Sequence, residues 1–437
     1  MSTTDLLNRW STLSLDEIQD ELDAGQHLLA AEQLFGADQV AAMRPGEAMR
    51  SFSGAREAVV LLPGLMGSLL TSVRGIITSL WLNPNLMLKG QSRYLELNQE
   101  GTADASPNIL TVATGAERLC YLQPALALNR ECILFEFPYD WRLPIEVNAD
   151  QLGQTLERWA DGDPDMQFTL VGHSMGGLVS RAFVTRHPEQ AKRRVKRVIM
   201  HGTPHFGAAG AIADLMEGNR MMALASALNE KNSIRRFVLN MPSAYQLLPA
   251  PPNLFPSHRH YPANFDVYDA RQWRLEGVRQ DYLDAGRRFH ELLADFDHPV
   301  ETIQIAGCHM ETKVDVMLGF DARERPSLQI ITQSKGLDSG DATVPLYSAI
   351  LPGAQMYYIQ EVHRYLPRNK QVIEATIDLI YGRTPDLPTD LPQPKQGLLD
   401  LFREVGDPET EAERLRQRLS DGVATEQDLE QLYFLDY

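Results

Sequence analysis

Cysteine is nearly absent from this sequence: Cys120, Cys132 and Cys308 are the only three in 437 residues. An odd, scattered set of that size excludes a disulfide framework and a cysteine metal cluster. Positive charge is also in deficit, with 41 Lys and Arg against 58 Asp and Glu, a net −17. A field of that sign repels phosphates, so no nucleic-acid partner is expected and anionic bilayers are disfavoured. A neutral or zwitterionic lipid, reached through apolar contacts, stays open. No stretch approaches the roughly 18 apolar residues needed to span a bilayer. The opening MSTTDLLNRWSTLSLDEIQDELDAG has no basic n-region followed by an apolar core, so it does not read as a signal peptide. The expectation is a cytoplasmic protein. His258-x-His260 sits in a Pro-rich loop without a third ligand at metal spacing, and no metal or cofactor is expected.

What is present is an apolar fraction of 43%, enough for a sizeable core. Residues 14 to 43 read as helix, with Ser14 and Glu17 as a capping box. Short apolar runs then alternate with helical patterns. The runs are AVVLLP (58–63), ILFEF (133–137), FTLVG (168–172), VKRVIMHG (195–202), TIQIAG (302–307), SLQIIT (327–332) and MYYIQ (356–360). Helices are expected over 149–160, 175–187, 279–296 and 369–382. This alternation predicts an α/β fold, a mainly parallel sheet covered by helices on both faces. The expected organisation is an N-terminal helical extension (1–50), an α/β domain (51–382), a Pro-rich linker (383–397) and an acidic helical tail (398–437). Two insertions, 77–97 and about 208–278, interrupt the domain as cap and lid. From Arg383 onward thirteen acidic residues face six basic ones, so the tail reads as a solvating segment or a docking site for a protein partner.

One stretch carries chemistry. In FTLVGHSMGGLVSRAF, Gly172 and Gly176 flank Ser174 between an apolar strand and a helical pattern. A serine on a sharp strand-to-helix turn presents its hydroxyl above the sheet, and the next amide, that of Met175, lies free at a helix N-terminus to bind an oxyanion. The bland alternative is a tight Gly-Ser-Gly turn. A serine also needs a base. Asp341, with Asp338 close by, follows SLQIIT, and His363 follows MYYIQ, in the chain order Ser, Asp, His that this fold uses. Taken together they read as nucleophile, acid and general base, where a turn-capping aspartate and a loop histidine are the plain readings of each alone. The Pro63-Gly64 turn after the first strand offers the Leu65 amide as a second oxyanion donor. His173, His201 and His205 read as supporting or packing residues.

These residues resemble the lecithin:cholesterol acyltransferase-like family of α/β-hydrolases. The resemblance runs through VVLLPGLMGSLL, SLWLNPNLML, EFPYDWRLP, LVGHSMGGLVSR, HGTPHFGA, PSAYQLLP, GDATVP and His363, between residues 58 and 382. It implies Ser174, Asp341 and His363 as the triad and the Leu65 and Met175 amides as the oxyanion hole. It also implies that the Trp81 segment contacts membrane and that part of 208–240 is a lid. The family's secreted members carry a signal peptide and a disulfide in the Trp81 segment, and this sequence has neither.

The function expected is a serine hydrolase or acyltransferase acting on lipid esters through an acyl-enzyme. A carboxylesterase on a small soluble ester is the alternative, and an interaction protein using a hydrolase scaffold is a third reading. The entrance for lipid is expected at Trp81, Leu82, Leu86, Met87 and Leu88 together with Met221 and Met222, as an exposed apolar surface making transient membrane contact.

Overall fold

The computed structural model describes residues 1–44, 56–75, 77–81, 83–320, 326–394 and 407–433. Its centre is a six-stranded sheet: β1 (Ala58–Leu62), β2 (Ile133–Glu136), β3 (Phe168–His173), β4 (Val195–His201), β5 (Glu301–Gly307) and β6 (Gln355–Ile359). The spatial order is β6-β5-β4-β3-β1-β2 and every pairing is parallel. The inner strands are covered on both faces, so they are largely apolar. Leu62, Leu170, Ile199 and Ile305 are all buried accordingly. The fold is that of an α/β-hydrolase.

Six of the seven predicted strands form this sheet; the seventh does not. Pro326–Gln333, which contains SLQIIT, pairs antiparallel with Thr312–Phe320 in a separate hairpin. Its burial differs accordingly: no residue of this strand is fully buried, whereas β1 and β3 are buried throughout. The hairpin leaves after β5 and returns to it: Met310 N–H donates to Gly340 O (2.9 Å). Asp341 therefore still reaches the C-terminal edge of the sheet, but at the end of β5.

The expected helix over 14–43 is three helices, Leu15–Asp23, Leu28–Phe35 and Ala37–Met43, preceded by another at Thr3–Trp10. The Ser14–Glu17 capping box forms, and Gly25 and Gly36, both at positive φ, break the run. Helix Arg118–Glu131 and a small antiparallel sheet (Ser68–Ser72, Thr78–Ser79, Thr111–Ala116) were not anticipated.

The tail departs most from expectation. Helices Pro408–Asp421 and Glu426–Tyr433 pack on the insertion helix Arg220–Leu228, where Arg416 donates to the carbonyls of Ala227 (2.7 Å) and Leu228 (3.0 Å). Leu415, Leu429, Leu432 and Tyr433 are buried. Glu430 pairs with Arg364 and Glu426 with Arg368, all four side chains buried. Thr3 N–H donates to Gly422 O (3.2 Å), joining the two ends of the chain. The tail is thus packed, not solvating; its charge count conceals an apolar face at helical spacing. The linker end and the start of the tail, 395–406, lie outside the described residues. Among the described residues no helix is long and apolar enough to cross a membrane.

Burial also sets an acid limit on stability. His290, whose Nε2 bonds Leu248 O (2.8 Å), is held down to about 4 by desolvation. Its folded value lies below its unfolded one of about 6.5, so unfolding takes up a proton and stability falls as pH drops through that window. Chemical denaturation of His290→Gln should therefore show a pH 7-to-5 loss about 2 kcal/mol smaller than wild type. Equal losses in the two proteins would show that His290 does not titrate this way.

Candidate active site

The candidate triad residues and the two candidate oxyanion donors lie along the C-terminal edge of the sheet, where loops and helix starts gather. From Phe168 to Val184 every residue is buried except Ser174, which is half-buried. Ser174 stands at φ 53°, ψ −121°, a conformation that costs an L-residue on the order of 1–3 kcal/mol and turns the chain sharply from β3 into helix Met175–Arg186. Its N–H is fixed by His201 O (2.8 Å). The flanking glycines answer a packing demand. A Cβ on Gly176 would lie 2.3 Å from Leu62 O, and one on Gly172 2.7 Å from Gly177 N. The Ser174 side chain does not cap the helix that follows it. The Met175 amide opens that helix, where the backbone dipole favours negative charge.

The turn expected to supply the second donor is tight, closed by Gly67 N–H to Gly64 O (3.0 Å), with Met66 at φ 62° and Leu65 at its crest. Gly64 is closely packed: a Cβ there would stand 3.1 Å from both the Ser174 Cβ and His173 Nδ1, so one of them would have to give. The P-Y-D-W-R motif holds this turn from behind. Tyr139 O–H donates to Pro63 O (2.6 Å), Trp141 Nε1–H to Ser68 O (3.0 Å), and buried Arg142 pairs with Asp140 (2.7 Å) and Asp104 (3.0 Å). Ser243 Oγ donates to Trp141 O (2.6 Å), tying in the second insertion.

Asp341 is fully buried, and both carboxylate oxygens are used. Oδ1 accepts from the amides of Thr343 (3.1 Å) and Val344 (2.7 Å), and Oδ2 accepts from His363 Nδ1–H at 2.7 Å. That pattern accounts for G-D-x-T-V-P. His363 N–H in turn donates to Asp341 O (2.7 Å), so backbone and side chain both fix the pair. With Nδ1 committed to Asp341, Nε2 is the ring nitrogen left for proton transfer. Gly202, which sequence reasoning passed over, makes room: a Cβ there would lie 2.9 Å from both Asp341 Oδ2 and His363 Nδ1. The neighbouring Asp338 stands apart, its side chain 63% exposed beside Arg259 at 3.4 Å.

Ser174, His363 and Leu65 line one cavity of about 120 Å³. Ala211 and Asp214, on helix Ala209–Met216 of the predicted lid, form part of its wall. His173 and Glu117 also line it; burial pushes His173 well below the usual histidine range and raises Glu117 to about 7. Of the cysteines, Cys120 and Cys132 are pushed up by burial, Cys132 to about 11, which leaves neither a ready thiolate.

Trp81, Met221 and Met222 do not line this cavity. Each is buried, which corrects the expectation of an exposed apolar entrance. Trp81 packs edge-on against Trp141 and Tyr433 and donates Nε1–H to Met66 O (2.7 Å), so it braces the donor turn from below. Met221 and Met222 belong to the helix that the tail covers. The sequence places large apolar groups on insertions, and the tail is what takes them out of water. Leu82 lies outside the described residues.

A sequence model of the lecithin:cholesterol acyltransferase family matches residues 126–382. The chain is 24% identical over 230 residues to lecithin-cholesterol acyltransferase-like 4 of Arabidopsis thaliana, covering 44% of this chain and 43% of that protein. It is 28% identical over 127 residues to phospholipase A(1) LCAT3 of the same plant, covering 27% and 28% respectively. The matches thus span less than half the length of either relative. Among solved structures, that of a Tle4–Tli4 complex superposes with a TM-score of 0.51 at 16% identity, covering 75% of this chain and 99% of that one.

Proposed function

The chain belongs to the lecithin:cholesterol acyltransferase family, and from that premise we propose a serine acyl-ester hydrolase or acyltransferase acting on lipid esters through an acyl-enzyme on Ser174. The observation that carries this reading is the buried Asp341–His363 pair at 2.7 Å, opening on the same cavity as the strained, half-buried Ser174. In the proposed cycle His363 Nε2 takes the proton of Ser174 Oγ as that oxygen attacks the ester carbonyl. The amides of Leu65 and Met175 receive the negative charge on the carbonyl oxygen. His363 then gives its proton to the departing alcohol. Water or an acceptor alcohol, deprotonated by the same histidine, takes the acyl group and restores the serine. Asp341 holds His363 in the Nδ1–H tautomer and stabilises its cation.

The cavity itself favours a second reading. About 120 Å³ is close to the roughly 150 Å³ that accepts benzene in an engineered core, so the cavity by itself fits a small acyl or aryl group. A long acyl chain would extend beyond this volume, past helix Ala209–Met216. A chain-length series decides between the two, using acylglycerol or phosphatidylcholine dispersions against a butyrate ester. Each methylene that enters an apolar site contributes about 0.8 kcal/mol, so a lipid enzyme should gain in kcat/KM with chain length. A monotonic fall beyond four carbons would favour the small-ester enzyme.

A further inference from the structure

Three catalytic loops meet in one hydrogen-bond chain that the proposed cycle does not use. Gly64 N–H donates to Tyr121 Oη at 2.7 Å, Tyr121 Oη lies 2.7 Å from His173 Nδ1, and His173 Nε2 lies 3.0 Å from His363 O. All of these groups are buried. The direction of each bond follows from the last one. A carbonyl oxygen only accepts, so Nε2 of His173 carries the proton; Nδ1 is then an acceptor and takes the Tyr121 hydroxyl proton. The Tyr121 oxygen is left to accept from Gly64. Burial, reinforced by His363 and His201 nearby, keeps His173 neutral, so no competing protonation state reverses the chain.

Resting on the acyl-transfer reading above, we propose that Tyr121 and His173 are positioning residues. Through them the donor turn at Gly64, the elbow at Ser174 and the loop of His363 are held as one unit. The elements are far apart in sequence, 52 residues between Tyr121 and His173 and 190 between His173 and His363. The donor turn is the part with most to lose. Gly64 N–H is committed to Tyr121, which aims the next amide, that of Leu65, into the cavity where an oxyanion forms. Without the phenol the turn keeps its bonds from Gly67, Tyr139 and Trp81, but the Gly64 amide next to Leu65 loses its acceptor. His173 does the same for the base, because a hydrogen bond to His363 O sets the height of the imidazole above Asp341. A misplacement of about 1 Å in such groups costs on the order of 10²-fold in rate.

Two substitutions of His173 separate the arms. In His173→Asn the amide oxygen stands near Nδ1, which keeps the acceptor for Tyr121 and drops the link to His363. In His173→Gln the amide nitrogen stands near Nε2, which keeps the link to His363 and strands Tyr121. The experiment measures kcat, KM and inhibition by an alkyl boronic acid, whose serine adduct places an oxygen in the oxyanion site. It uses a short soluble ester, for wild type, Tyr121→Phe, both His173 variants and Ser174→Ala, each assayed 15 °C below its own Tm. Expected is a fall in kcat on the order of 10²-fold for Tyr121→Phe with KM within about twofold. Boronate affinity should fall by a similar factor in Tyr121→Phe and His173→Gln, and less in His173→Asn. A purely structural role would lower Tm and leave kcat and boronate affinity near wild type. If kcat stays within about threefold of wild type in all three variants while Ser174→Ala is inactive, the positioning role is overturned. If Ser174→Ala itself turns over normally, the acyl-transfer reading fails instead.

Discussion

Replacing Asp341 by Asn is expected to lower kcat by about 10⁴-fold while leaving the fold intact. The size of the effect follows from how the carboxylate is held. Oδ1 accepts from two amides, those of Thr343 and Val344, so in the variant the amide oxygen must stay on that side. The new NH₂ group then faces His363 Nδ1, where a donor now stands in place of Oδ2. His363 can meet a donor only by accepting at Nδ1, which moves its own proton to Nε2. A histidine protonated at Nε2 cannot take a proton from Ser174. Steady-state kinetics on a short soluble ester, with circular dichroism as a check on folding, measure this. Asp338→Asn provides the control: that side chain is exposed and bound only at 3.4 Å to Arg259, so its loss should be mild. A decrease below tenfold for Asp341→Asn, or a larger one for Asp338→Asn, would reassign the acid.

Deleting residues 407–437 should abolish stable folding, or leave a protein with a sharply lowered Tm that binds hydrophobic dyes. Truncation uncovers the helix carrying Met221 and Met222 and one face of Trp81, which now packs on Tyr433 at 5.3 Å. Fully burying such side chains contributes about 1.5–3 kcal/mol each, and net stabilities are only about 5–15 kcal/mol. It also strips Glu430 and Glu426 from Arg364 and Arg368, on the segment that begins with His363. Breaking one partner of a buried ion pair is costly where the other stays buried, so Glu430→Gln alone should destabilise the loop that positions the base. Thermal unfolding of the truncated chain measures the first effect. An unchanged Tm and full ester turnover would mean that the tail contacts carry no weight.

Much of this arrangement is legible in the sequence for physical reasons. Parallel strands are covered on both faces, so AVVLLP and FTLVG stand out as unbroken apolar runs. The elbow is legible because a strand, a serine between glycines and a helix start occur in one stretch. The chain order Ser, Asp, His is legible too, although the run that pointed to Asp341, SLQIIT, is not a strand of the central sheet. What escapes is what depends on partners distant in sequence. SLQIIT is apolar enough to pass for a sheet strand, and only its partner strand, Thr312–Phe320, makes it a hairpin. Trp81 and Met221 look exposed because the segment covering them begins more than 180 residues later. Tyr121 has no local signature at all: it sits in a helix whose interior holds Pro124, and its role arises from Gly64 and His173.

The central claim is that Ser174 is the nucleophile, and covalent labelling tests it most directly. A fluorophosphonate reacts with a serine whose hydroxyl is activated by a neighbouring base and whose adduct oxygen is held by an oxyanion site. Wild-type protein treated with the reagent should gain one adduct by intact mass, mapped by peptide sequencing to Ser174 within VGHSMGG. Asp341→Asn should label far more slowly, and Ser174→Ala should not label. An adduct on another residue, or equal labelling of wild type and Ser174→Ala, would contradict the account.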